Sequence, residues 1–317
     1  TGTPIRIETP KPAEQQTVLS YYERRVHANE RSTAHGVMHF STVQQVNVTP
    51  TRRPSAGQYE FSSRWQLVAP MVQAKVTGVS GPIDINLLHQ SPAYDGTRRF
   101  RLVPFGKGDV RGAAALIAGT EDRSEQEQIA DAAAAGAAVA IIVRTPDMPA
   151  WTVWRPVGDR EPIPSLVVAN DDGQKLLKAA GGKARPAIDL TLDTSSPYLY
   201  DVIHVERGRV PDRIVHRVTR DNSVRITSRY ADNGGFGWAK EQRFGWRPWQ
   251  EYAWNDTQRF VQTPKVREEW VSAGDSVWQH RVHHEYTWDD MNPIGGGMTE
   301  VPRSYAARST LTEGWFT

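Results

Sequence analysis

The sequence predicts a mixed, β-rich protein with two β-sandwich flanks around a central α/β unit. Short alternating runs broken by Pro and Gly fill residues 1–81 and 195–317. Continuous apolar runs, as in strands covered on both faces, fill residues 82–194 instead. An alanine-rich run of strong helix formers lies between two of them.

In the first flank, alternation is clear in Ile5-Arg6-Ile7-Glu8, Val43-Gln44-Gln45-Val46-Asn47-Val48 and Tyr59-Glu60-Phe61-Ser62. Pro10, Pro12, Pro50, Pro54 and Gly57 punctuate these strands. The middle opens with a buried strand at Ala113-Ala114-Ala115-Leu116-Ile117-Ala118. Ser124 then stands at an N-cap, and residues 125–135 form a helix with Ile129, Ala132 and Ala133 inward. Gly136 ends it. Ala138-Val139-Ala140-Ile141-Ile142-Val143 and Pro164-Ser165-Leu166-Val167-Val168-Ala169 are further apolar strands. Asn170 or Asp171 caps a second helix, with Leu176 and Leu177, that stops at Gly181-Gly182. The last flank returns to strands at Val202-Ile203-His204-Val205, Val224-Arg225-Ile226-Thr227 and Glu268-Glu269-Trp270-Val271. The two flanks form either separate sandwiches or one sandwich into which the middle is inserted.

Composition narrows the function. The 317 residues are 38% hydrophobic and 23% charged, enough for packed cores. The net charge is +2, with basic and acidic residues interleaved, which argues against a nucleic-acid partner. The absence of cysteine excludes thiol catalysis, Cys-ligated zinc and disulfides within this chain. The longest apolar run, residues 132–143, is too short for a helical membrane span. The chain starts at Thr1 with no visible signal peptide and stops after Glu313-Gly314-Trp315-Phe316-Thr317, so it reads as a processed piece of a longer polypeptide.

Candidate chemistry is sparse. In His280-Arg281-Val282-His283-His284-Glu285, read as a strand, His280 and His284 share a face but lie roughly 13 Å apart. His283 and Glu285 share the other face at roughly 7 Å. Two ligands do not make a zinc site, so a solvent-facing strand with polar alternation is expected, without metal. Asp289-Asp290-Met291-Asn292-Pro293 reads as a turn. Gly106-Lys107-Gly108-Asp109-Val110-Arg111-Gly112 lacks the ending of a phosphate loop and reads as a simple turn. No cofactor is implied. Aromatic residues are more informative, because seven of the eleven tryptophans fall between Trp238 and Trp288. Most are expected in a sandwich core or as loop anchors. Trp246, Trp249 and Trp254, in a stretch rich in Arg, Asn and Gly, are candidate binding residues. So are Trp151, Trp154 and Arg155, in the long loop over residues 147–161.

The middle segment resembles a protease-associated (PA) domain. The resemblance rests on Gly112-Ala113-Ala114-Ala115-Leu116-Ile117, on the run from Glu127-Gln128-Ile129-Ala130-Asp131 through Gly136 to Ile141-Ile142-Val143, and on Ile163-Pro164-Ser165-Leu166-Val167-Val168 followed by Asp172-Gly173-Gln174-Lys175-Leu176-Leu177. It covers about a third of the chain. The flanks resemble the region downstream of the catalytic domain in large secreted subtilisin-like serine peptidases of actinobacteria, chiefly through Arg267-Glu268-Glu269-Trp270-Val271-Ser272-Ala273-Gly274-Asp275 and Trp278. The resemblance implies three domains, 1–81, 82–194 and 195–317, in a secreted, non-catalytic region. Its partner would be a protein or peptide substrate, or the catalytic domain of the same precursor. The peptidase blocks Asp-Thr-Gly, His-Gly-Thr and Gly-Thr-Ser-Met are missing, and His35-Gly36 is followed by Val37. No catalytic residue is therefore expected. Two rivals remain: a carbohydrate- or cell-wall-binding module using the Trp cluster, and a fragment of a PA-containing metallopeptidase.

Overall fold

The computed structural model describes residues 2–40, 45–156, 158–182, 186–232, 234–235, 237–251, 259–284 and 296–316. The fold is mixed and β-rich, with several sheets. The chain divides into two compact units, Pro70–Ser195 and a split unit made of Thr1–Ala69 with Ser196–Thr317.

The split unit begins with β1 (Thr3–Glu8), β2 (Glu14–Val26), β3 (Ser32–Phe40), β4 (Asn47–Val48) and β5 (Gln58–Val68). The continuous unit holds β6 (Val72–Val76), β7 (Ile85–Leu87), β8 (Gly96–Pro104), β9 (Ala114–Ala118), α1 (Glu125–Ala134), β10 (Val139–Val143), β11 (Ser165–Val168), α2 (Asn170–Ala180) and β12 (Ala187–Leu192). The chain returns to the split unit with β13 (Tyr198–Arg207), β14 (Ile214–Arg217), β15 (Ser223–Tyr230), β16 (Trp238–Trp246), β17 (Arg259–Gln262), β18 (Lys265–Ser272), β19 (Val277–His284), β20 (Gly297–Thr299) and β21 (Thr310–Trp315).

In the continuous unit, seven strands run in the order β6-β12-β8-β9-β10-β11-β7. The neighbours β8, β9, β10 and β11 pair in parallel. Every residue of β10 is buried, which explains its unbroken apolar sequence. Ile129 and Ala132 of α1 pack with Ile117, Ile142 and Val167 in one core. Ser124 caps α1 as expected: its hydroxyl accepts from the Glu127 backbone while Glu127 reaches back to the Ser124 N–H. Gly136 adopts φ 84°, the left-handed position that follows a helix end. The second helix departs from expectation. Neither Asn170 nor Asp171 caps it; Ala169 occupies the cap without a side-chain bond. Asn170 Nδ2 instead donates to the Arg144 carbonyl at 2.8 Å, tying the helix start to the end of β10. The segment after β8 is a turn, closed by Lys107 N donating to Pro104 O.

In the split unit, seven strands run β21-β15-β18-β13-β5-β2-β3, four run β17-β16-β19-β20, and three run β14-β1-β4. The flanks thus share one sheet. β5 from the first flank pairs antiparallel with β13 from the second, from Leu199 opposite Val68 to Arg207 opposite Glu60. Alternation in sequence reveals a strand's faces, not its partner, so the division at 1–81 and 195–317 could not show this pairing. Of the run expected over Val43 to Val48, Asn47 and Val48 form β4; Val43 and Gln44 lie outside the described residues.

One face of the large sheet is apolar: Phe61, Trp65, Tyr200 and Val202 share a core with Ile214 of β14 in the three-stranded sheet. The other face carries Arg64, Asp201, Arg267 and Glu269, all buried. These meet Glu241 and Arg243 of β16 and Arg259 of β17, and His280 of β19 pairs with Glu241. The expected solvent-facing β19 is therefore corrected. His280 is fully buried, because the four-stranded sheet turns the face that carries Glu241, Arg243 and His280 inward against matching charges; His283, on the opposite face beside Lys240, is buried as well. Glu285 and Trp288, with the expected turn Asp289-Asp290-Met291-Asn292-Pro293, lie outside the described residues.

Candidate functional site

The loop over residues 147–161 is strapped to its own unit. Arg144 holds its start, donating to the Trp151 carbonyl at 3.2 Å and to the Pro149 carbonyl, while Arg144 Nε pairs with Glu125 Oε1 at 3.0 Å. Arg155 N donates to His89 O and Glu161 N to Gln90 O, both at 3.0 Å. Trp154 faces inward at 9% exposure, and its Nε1 donates to Ser91 O at 2.8 Å. Trp154 is therefore an anchor of the loop, which corrects its expected place on a contact surface: an indole whose N–H finds a buried carbonyl packs inward. Trp151 and Arg155 are half-buried.

The Trp-rich stretch contributes a different arrangement. Immediately after β16, Arg247 is buried and saturates its guanidinium. It donates to Glu60 Oε1 at 2.7 Å and Oε2 at 3.1 Å, to Asp275 Oδ1 at 2.6 Å and Oδ2 at 2.8 Å, and to Ser276 Oγ at 2.9 Å. This forked geometry suits Arg better than Lys. Glu60 in turn accepts from Trp249 Nε1 at 2.7 Å. Burial pushes the Glu60 carboxyl up, but hydrogen bonds from Arg247 and Trp249 outweigh it and hold the group below the ordinary carboxylate range. Hydrogen bonding to Arg247 lowers Asp275 likewise. Both acids are thus charged at neutral pH and shared between Arg247 and Arg207.

Trp249, half-buried, becomes a fixed ridge between two open hollows. One, of about 320 Å3, is lined by Arg24, Val26, Arg53, Pro54, Tyr59, Glu60 and Arg207, among others. The other, of about 330 Å3, is lined by Tyr22, Ala34, His35, Gly36, Gln250 and Glu251. The Arg24 guanidinium lies 5.6 Å from the Trp249 ring centroid. Arg207 is shared with Asp275 at 2.8 Å, whereas no carboxylate pairs with Arg24 or Arg53 among the described residues. Trp246, expected to join Trp249, ends β16 opposite Val277 and lines neither hollow. Trp254 lies outside the described residues. Arg24, Arg53, Tyr59, Glu60 and Arg207 were invisible as site residues, since no local spacing links Trp249 to strands and loops so distant in sequence.

The buried charges between the sheets are internally matched. Arg267 Nη2 contacts Glu241 Oε1 and Glu269 Oε1 at 2.6 Å each and the Tyr230 hydroxyl at 2.7 Å. Arg243 pairs with Glu269 and lies 3.3 Å from Asp201, which Arg259 also meets at 3.0 Å. Among the described residues, no group of three or more His, Asp or Glu could hold a metal ion. No helix among them is long and apolar enough to cross a membrane.

No family model matches the chain, and no curated protein does. Among solved structures it is similar to an aminopeptidase from Aneurinibacillus sp. strain AM-1, at 16% identity and TM-score 0.32 over 47% of this chain and 35% of that one. A zinc aminopeptidase from Bacillus subtilis gives 17% and 0.30 over 54% and 40%. A peptidase M28 precursor from Shewanella amazonensis SB2B gives 14% and 0.27 over 55% and 44%. The chain spans less than half the length of each.

Proposed function

We propose that this chain is a non-catalytic, protein-binding region of a secreted peptidase, with the groove around Trp249 as its contact. The central α/β unit is read as a PA-like module, and the whole as an accessory region of a subtilisin-like serine peptidase. The observation that carries the binding role is the held indole. An aromatic side chain fixed by a half-buried carboxylate and faced by the Arg24 guanidinium offers a large contact area with little entropy left to lose. Hollows of this size accept one or two side chains of an extended peptide.

The test is an array of unrelated immobilised dodecapeptides probed with the purified chain and with its Trp249→Ala variant. The wild type should retain a subset of peptides that the variant loses, with circular dichroism unchanged. Identical capture patterns would remove the groove from the function.

A further inference from the structure

We infer that the groove selects an acidic peptide segment, an inference that rests on the binding role proposed above and names its ligand chemistry. Charge complementarity points this way. Glu60 and Asp275 are shared between Arg247 and Arg207, so these acids pair with neither Arg24 nor Arg53. Arg24 and Arg53 border the same hollow with no carboxylate partner among the described residues, and Arg207 is 63% exposed. A ligand carboxylate would meet the Arg24 guanidinium, backed by the Trp249 ring, and Arg53 in the same hollow, where charge-assisted hydrogen bonds form without first breaking an internal pair.

A peptide fits better than a diffuse polyanion because the second hollow offers backbone. It is lined by Ala34, His35 and Gly36 of β3, the terminal strand of the seven-stranded sheet. Among the described residues β3 pairs with β2 alone, so its outer edge keeps N–H and C=O groups for an added strand. An extended segment can lie along that edge, cross Trp249 and place its acidic side chains by Arg24 and Arg53.

The experiment uses the full 317-residue chain and two fluorescein-labelled decapeptides, one alternating Glu with Val and Tyr, the other with Gln in every Glu position. The Glu peptide should bind at least about tenfold more tightly, with affinity falling as salt rises. The exposed change Arg53→Glu, and the double change Arg24→Glu with Arg53→Glu, should abolish that preference while leaving the melting temperature within about a degree of the wild type. Equal binding of both peptides, lost in Trp249→Ala, would overturn the acidic selectivity and leave the binding role standing. Equal affinity for a sulfated dextran of matched charge would overturn the peptide as occupant. Absence of binding by either peptide, together with identical array patterns for wild type and Trp249→Ala, would overturn both readings.

Discussion

His280 Nε2 lies 2.6 Å from Glu241 Oε2, with both side chains fully buried on neighbouring strands of one sheet. Burial and the nearby Arg243 lower the His280 pKa, but the hydrogen bond to Glu241 and the Glu313 carboxylate 3.9 Å away outweigh them and hold it above the ordinary imidazole value. The stability this proton supplies is complete below the unfolded value of about 6.5 and is lost as pH rises through the raised one. His204 and His216 act oppositely, since burial pushes each down to about 4. The unfolded chain then binds protons the folded one refuses, and stability falls as pH drops from about 6.5. Glu241 and Glu269 are held low by Arg259, Arg267 and Arg243 against burial, Glu269 to about 2, and add a further loss below about 4.5. Calorimetry across pH 4–9 should show a melting temperature that peaks near pH 6.5 and falls faster on the acid side. His280→Gln should flatten the alkaline limb; an unaltered limb would remove His280 as its cause.

Arg267→Met leaves Glu241 and Glu269 buried with fewer cations. Removing one member of a buried ionic set costs about 3–5 kcal/mol, because the remaining charge stays desolvated. Urea unfolding should show a loss of this size. A loss below about 1 kcal/mol would mean that water reaches the network.

In the continuous unit, Ser124→Ala should cost about 1 kcal/mol by removing the cap of α1. Gly173→Ala is the sharper test. Alanine favours a helix interior over glycine by up to about 1 kcal/mol. Here its Cβ would stand 2.3 Å from Val143 Cγ1, and such overpacking costs about 1–3 kcal/mol. Net destabilisation is expected, with recovery when Val143→Ala is added. Thermal denaturation of the two variants checks both.

Trp154 and Trp249 should separate structure from binding. Trp154→Ala removes a buried indole and its bond to Ser91 O, for a cost of about 3 kcal/mol or more. Trp249→Ala, at a half-buried position, should lower stability by less and abolish peptide capture. The reverse ranking in paired denaturation and binding assays would place the contact in the loop over residues 147–161.

Much of the continuous unit was legible because its signals are local. An unbroken apolar pentapeptide, a Ser124–Glu127 capping box and a Gly136 stop each state their own conformation. The second helix was legible except at its cap, where Asn170 answers to Arg144 across the sheet. The ionic layer was hidden for a different reason. Alternation in Arg267-Glu268-Glu269-Trp270 looks the same whether the polar face meets water or a second charged sheet. His280 was read as solvent-facing on that ground, and its fully buried position depends on Glu241 and Arg243 arriving from another strand. Trp249 stood out by composition, yet its partners Glu60 and Arg24 come from the opposite flank, which local sequence does not join.

Recognition without cleavage is tested most directly by incubating the purified chain with a mixed peptide library and analysing retained and free fractions by mass spectrometry. The account predicts intact peptides, acidic ones enriched, co-eluting with the wild type and absent with Trp249→Ala. New peptide termini, generated at a rate that a point substitution within the 317 residues abolishes, would contradict it.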